Sequence, residues 1–321
     1  HHRSRAQSHE GVQLRQVADD QRVDGRPISL RGTLCEATEV LSGAIHRWVS
    51  EHTSLREAAT IPAHTGAFVM NFLQTSSAAA LLGVLACEWA ARRRGERAWT
   101  GLVLALMALV SGLIGAHLVA VLVYDRATLL ANPAGTLLSL TRGIASAGGF
   151  LGGVLGGAAF ARLSGRSMGS VGDLLAVSVA LCWPLARSGC ALAHDHPGLR
   201  SEFLLAVSYS DGSRHDLGLY EALVAVPILA LTLRSFLRGT ANGGTFRTFL
   251  WSYCSARFAL DFLRTSGEDA RVGLERGAFL AADVDPRWLG LTFAQWLAAA
   301  TLVALALRPL RQKLSVEPAR L

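Results

Sequence analysis

Seven blocks of apolar residues dominate this sequence: Gly66–Ala91, Trp99–Val123, Ile144–Ala161, Val171–Leu185, Tyr220–Leu237, Thr245–Leu263 and Leu289–Leu307. Most approach the ~20 residues a helix needs to cross the hydrocarbon core of a bilayer. Only helices and closed barrels satisfy their own backbone polar groups there, so continuous apolar blocks of this length read as helices. The composition agrees: 51% of the 321 residues are apolar and 17% charged, against about 25% charged in a soluble domain. The expected fold is an all-α polytopic membrane protein with about seven transmembrane helices.

The net charge is +7. The basic residues sit at the ends of the apolar blocks, which argues for orientation in a bilayer and against nucleic acid as a partner. Arg92–Arg97, Arg162–Arg166, Arg234–Arg238 and Arg308–Lys313 are basic and fall on one side of a seven-span chain. That side is expected in the cytoplasm, with the N-terminus outside and the C-terminus inside. The opposite loops are mixed or acidic, as in Ser266–Arg287. Residues 1–65 form a polar extension in which Leu34–Val49 repeats apolar residues at helical spacing, an amphipathic helix. Residues 66–310 form the membrane domain and 311–321 a basic cytoplasmic tail. Between the fourth and fifth spans, FLLAVSY followed by SDGS reads as a strand entering a tight turn, a small extracytoplasmic head. The cysteines number five, with no CxxC, so neither a disulfide framework nor a zinc finger is inferred.

Polar groups gather at the outward end. Arg187, Cys190, His194, Asp195 and His196 follow the fourth block, and Arg214, His215, Asp216, Tyr220 and Glu221 open the fifth. In the sixth, Tyr253, Arg257, Asp261 and Arg264 recur at steps of four, four and three, on one helix face. Arg142 stands at the mouth of the third, ahead of the glycine run Gly148, Gly149, Gly152, Gly153, Gly156 and Gly157. Charges at membrane depth face a cavity or a partner. Arginines in excess of Asp261 and Glu221 point to a bound anion, and guanidinium forks match phosphate oxygens. A phospholipid headgroup is the anion most available there. The glycines permit close approach of a helix or a ligand, and plain helix packing is their simplest reading.

At these motifs the chain resembles the prolipoprotein diacylglyceryl transferase family. Arg187-Ser188-Gly189-Cys190 and Asp195 are similar to the family's R-x-G-N-x-x-N-G-E signature, and His215–Glu221 to its H-P-x-Q-L-Y-E stretch. Tyr253, Arg257, Asp261 and Arg264 match its tyrosine, arginine, carboxylate and arginine, and Ser146–Gly152 its glycine-rich S-F-H-G-G-L-x-G helix. The family histidine of that helix is Ala147 here, and two signature asparagines are Cys190 and Ala193.

The resemblance implies a bacterial plasma-membrane enzyme of lipoprotein biosynthesis. It moves a diacylglyceryl group from phosphatidylglycerol to the lipobox cysteine thiol of a prolipoprotein signal peptide, without a cofactor. Arg142, Arg187, Gly189, Asp195, Tyr253, Arg257, Asp261 and Arg264 are then expected to hold the phospholipid. His194, His196, His215, Tyr220 and Glu221 are expected to serve the chemistry, one of the histidines as base in place of Ala147. Two alternatives stay open: a lipid-binding or scaffold homologue without transfer, and a metal-dependent enzyme using Cys190, His194 and His196.

Overall fold

A computed structural model describes residues 65–139, 143–209, 211–267, 269–271 and 285–316, with side chains from Gln74 to Arg308. They belong to the compact unit Ala63–Leu321. The amphipathic segment Leu34–Val49, Arg142 and the side chains of the basic tail lie outside the described residues.

Helix occupies all seven blocks. The long helices are α1 (Thr65–Arg93), α2 (Thr100–Val119, continued by a π turn at Ala120–Tyr124), α5 (Ser146–Ser164), α6 (Met168–Ala193), α7 (Leu217–Leu237), α8 (Gly244–Leu260) and α9 (Phe293–Val316). Two short helices, α3 (Arg126–Ala131) and α4 (Pro133–Leu138), link α2 to α5. Among the described residues, three helices are long and apolar enough to cross a membrane: Thr100–Tyr124, Met168–Ala193 and Leu217–Leu237. Glycine dilutes the apolar character of α5, and α8 is only 17 residues long and carries Arg247 and Arg257.

The outer faces are those of a protein in lipid. On α2, Val103, Leu106, Val110, Leu113, Ile114 and Leu122 are exposed, while the buried face carries Gly101, Leu104, Ala105, Ala116 and His117. Large apolar residues outside, with glycine and alanine among those inside, reverse the pattern of a soluble helix. The glycine run explains the inner packing. A Cβ built on Gly148 would lie 2.2 Å from the Gly115 carbonyl oxygen, and one on Gly152 2.1 Å from that of Ser111. Every fourth residue of α5 is therefore glycine because α2 lies against it, backbone to backbone.

At one end, three inter-helix loops adjoin. Arg166 pairs with Glu96, Asn242 donates to Ser167, and the Arg94 guanidinium lies 4.7 Å from the Phe236 ring. Two carboxylates, half-buried Glu88 and buried Asp173, cap helices there. Glu88 accepts from the backbone N–H of Trp99, Gly101 and Leu102, and Asp173 from Gly243 (3.0 Å) and Phe246 (2.8 Å). Each satisfies orphan donors at a helix N-terminus. Asp173→Ala should strand two N–H groups, one buried and one partly buried, at a cost of about 2 kcal/mol, read as a fall of several degrees in the unfolding temperature of the detergent-solubilised protein.

At the other end, α6 runs on through Pro184 and Arg187 to Ala193, two turns beyond the apolar block that marks it in the sequence. His194 then stops it in a left-handed conformation, φ 45°. The expected head follows as a three-stranded antiparallel sheet of order β1-β3-β2, formed by β1 (Pro197–Arg200), β2 (Val207–Tyr209) and β3 (Gly212–Asp216). Phe203-Leu204-Leu205, expected in the strand, lie before it as loop and turn. A bridge from Gly198 to Arg264 ties the head to the chain after α8, and a short hairpin of β4 (Arg287–Trp288) and β5 (Leu291–Thr292) leads into α9.

Arg214 holds the head together. It is wholly buried and pairs with Asp211 and Asp269, while its Nη1 donates to the Gly198 carbonyl. The Arg214 and Arg200 guanidiniums hold the Asp211 carboxyl well below the usual carboxylate range. A depressed carboxyl stabilises the fold above its unfolded pKa of about 3.9, and that stability is lost as pH falls from there toward the folded value. Asp211→Asn should therefore cost thermal stability at pH 7, and its deficit against the wild type should shrink when the pair is compared at pH 3.

Candidate active site

Glu221 is the hub of the outer end. It lies one turn into α7, whose first turn is capped by Asp216 accepting from Leu219 N–H. Arg187, from the last turns of α6, places Nε 2.8 Å from one Glu221 oxygen, and Arg257, from the end of α8, bonds the other. Arg257 also pairs with Asp261 at 3.2 Å, and Asp261 with Arg264 at 2.9 Å. Glu221, Arg187, Arg257 and Asp261 are all buried. Helix spacing sets this up: Arg257 and Asp261 are i,i+4, and Asp261 and Arg264 i,i+3, as their positions in the sequence require.

Residues outside the expected site complete the cluster. Asp285 pairs with Arg264 at 2.5 Å and lies against Tyr124 at the end of the π turn. Thr292 donates to Asp261, and Arg287 donates to the backbone carbonyls of Asp261 and Arg264. The excess of cation is thus smaller than the sequence implied: four guanidiniums face three carboxylates among the described residues. Both Arg187 and Arg257 nevertheless converge on one carboxylate. Each fork has five N–H donors, more than Glu221 can accept.

Beside them lies a cavity of ≈10 Å³, lined by Glu221, Arg257, Tyr253, Trp183, Val224 and Ile228 among others. That is room for about one water and too little for a headgroup. Trp183 comes from α6, Val224 and Ile228 from α7, and Tyr253 and Arg257 from α8, and the wall they present is apolar. Tyr253 stacks on Phe249 and meets Phe150 and Trp183, and the Arg187 guanidinium lies 4.4 Å from the Trp183 ring centre.

The expected histidines separate. His194, exposed, bonds Asp216 at 2.5 Å and faces the Tyr209 ring, on the head. His215 bonds the Tyr220 hydroxyl at 2.8 Å beneath Phe203, and burial pushes its imidazole below the usual value. No bond joins His215 or Tyr220 to the arginine cluster among the described residues. His196 bonds Asp195, and both lie within 4.8 Å of the Cys190 sulfur, itself 3.6 Å from Arg187 Nη1. Gly189 is buried in the same helix end. The metal reading therefore changes members: Cys190, Asp195 and His196 approach one another and His194 does not. A guanidinium on the sulfur opposes a cation there. The sequence reading passed over His117 of α2, buried, with Nε2 3.1 Å from the Leu137 carbonyl and Nδ1 without a partner among the described residues. Its only signal was a lone histidine in an apolar block.

A helical membrane enzyme with a paired-arginine site at one end is the class these features define. A family model described as prolipoprotein diacylglyceryl transferase matches residues 73–308. The chain belongs to that family. It is 31% identical over 202 residues to the phosphatidylglycerol–prolipoprotein diacylglyceryl transferase of Staphylococcus carnosus, covering 59% of this chain and 72% of that one. It is 27% identical over 204 residues to the protein of that name from Photobacterium profundum, covering 60% and 76%.

Proposed function

We propose that this chain transfers a diacylglyceryl group from phosphatidylglycerol to the lipobox cysteine of a prolipoprotein, in the bacterial plasma membrane. One observation carries the reading: Arg187 and Arg257, from different helices, meet on Glu221 beside an apolar-walled cavity. The seven helices span the bilayer, with the joined basic loops in the cytoplasm and the head outside. Acyl chains lie along Val224 and Ile228, and the phosphate takes the donors that Glu221 leaves free. As the sulfur displaces the phosphate, negative charge grows on the leaving oxygen, and fixed guanidiniums stabilise it. Glu221 and Asp261 hold the forks in place, Arg264 supports them, and Tyr253 and Trp183 wall off water. Gly189 and, by its place in the sequence, Arg142 are assigned to the same binding end, Asp195 holds His196, and Tyr220 braces His215.

The test is complementation. A bacterial strain depleted of its own transferase should recover growth and lipid-modified prolipoprotein when this chain is expressed. Membrane-inserted protein without recovery would count against transfer and favour a lipid-binding homologue.

A further inference from the structure

Transfer to a thiol needs a proton acceptor, since a free thiol titrates near ~8.5. The first turn of α5 opens Ser146-Ala147-Gly148-Gly149 and offers no titratable side chain, and Ala147 is buried. The described residues include four histidines. His194 is turned to the head, His215 to Tyr220, and His117 is enclosed on α2 against the α4 backbone.

Resting on the activity proposed above, we infer that His196, held by Asp195, is the base that takes the proton from the acceptor thiol. Its Nδ1 meets the Asp195 carboxylate. A carboxylate can only accept, so the proton sits on Nδ1 and the Nε2 lone pair is left free, the arrangement of a base oriented by an acid. The ring is half-buried, open enough to meet a substrate. It also lies beside the anion site. Cys190 sits within 4.8 Å of the dyad on one side and 3.6 Å from Arg187 on the other, and Arg187 pairs with Glu221. Base and phosphate grip therefore flank one spot at the end of α6.

The step balances within the two substrates. The S–H proton passes to His196 Nε2 as sulfur bonds the glyceryl carbon. The carbon–oxygen bond to phosphate breaks, with its electron pair going to the oxygen against Arg187 and Arg257. The imidazolium then returns the proton to the phosphate monoester.

The experiment uses full-length protein in phosphatidylglycerol vesicles with a lipobox peptide. His196→Gly should lower kcat about 10²-fold or more, leave KM for the lipid within twofold, and regain at least tenfold when imidazole is added. Asp195→Asn should lower kcat less, at unchanged KM. Wild-type kcat in His196→Gly or in His196→Gln overturns the inference. A loss that imidazole does not reverse overturns it too, including one traced to a bound metal by elemental analysis. A wild-type protein that makes no thioether sinks the activity itself, which the wild-type arm separates from failure of the base alone.

Discussion

Arg257→Lys should reduce turnover about 10³-fold while leaving the protein folded. The lysine keeps the charge, so Glu221 and Asp261 are not left without a cation, and burial of an unpaired carboxylate is avoided. What it removes is the fork. Arg257 reaches Glu221 with one nitrogen and Asp261 with another, and the residue borders the cavity. An ammonium is a point charge that cannot span these partners and a phosphate together. Removing a preorganised donor at a developing oxyanion costs about 10²–10³ in kcat, and the loss of Glu221's second anchor adds to it. Steady-state kinetics with an unchanged size-exclusion profile reads this out. A kcat within threefold of wild type would remove Arg257 from the chemistry.

The second large effect is structural. Gly152→Ala should cost about 3 kcal/mol or more, and Gly153→Ala almost nothing. The new methyl at 152 would sit 2.1 Å from the Ser111 carbonyl oxygen and 2.8 Å from the Ser111 carbonyl carbon, both backbone atoms that no rotamer change can move. The helices must separate, and overpacking of this kind costs about 1–3 kcal/mol before the rest of the stripe loosens. Gly115, Gly148 and Gly156 share that stripe, so their contacts weaken with it. At 153 the nearest atom is 3.8 Å away, the Ala108 carbonyl oxygen. Thermal unfolding in detergent and the steady-state level in membranes should both fall for the first variant alone. Equal behaviour of the two would contradict the backbone contact between α2 and α5.

The helices were legible because lipid demands long apolar runs, and the arginine cluster because a charge in such a run stands out. Tyr253, Arg257, Asp261 and Arg264 share a face by spacing alone. The rest depended on contacts that sequence does not encode locally. Asp285 and Arg287 lie in an acidic loop and at the foot of the last block, and only the fold brings them to Arg264 and Asp261. The end of α6 was misjudged for a related reason. Arg187 reads as the exit from lipid until Glu221, on another helix, is seen to neutralise it. His194 and His196 are two residues apart, yet the left-handed turn at His194 sends them to different partners. Arg214 reads in the sequence only as one of the polar groups gathered at the outward end, and its partners Asp211 and Asp269 make it a brace of the head.

The most direct test reconstitutes the purified protein in phosphatidylglycerol vesicles with a lipobox peptide and weighs the peptide by mass spectrometry. Thioether-linked diacylglyceryl peptide should form with release of glycerol phosphate, and an Arg187→Gln, Arg257→Gln protein should form none. Unmodified peptide from wild-type protein, or equal product from the double variant, would contradict the account.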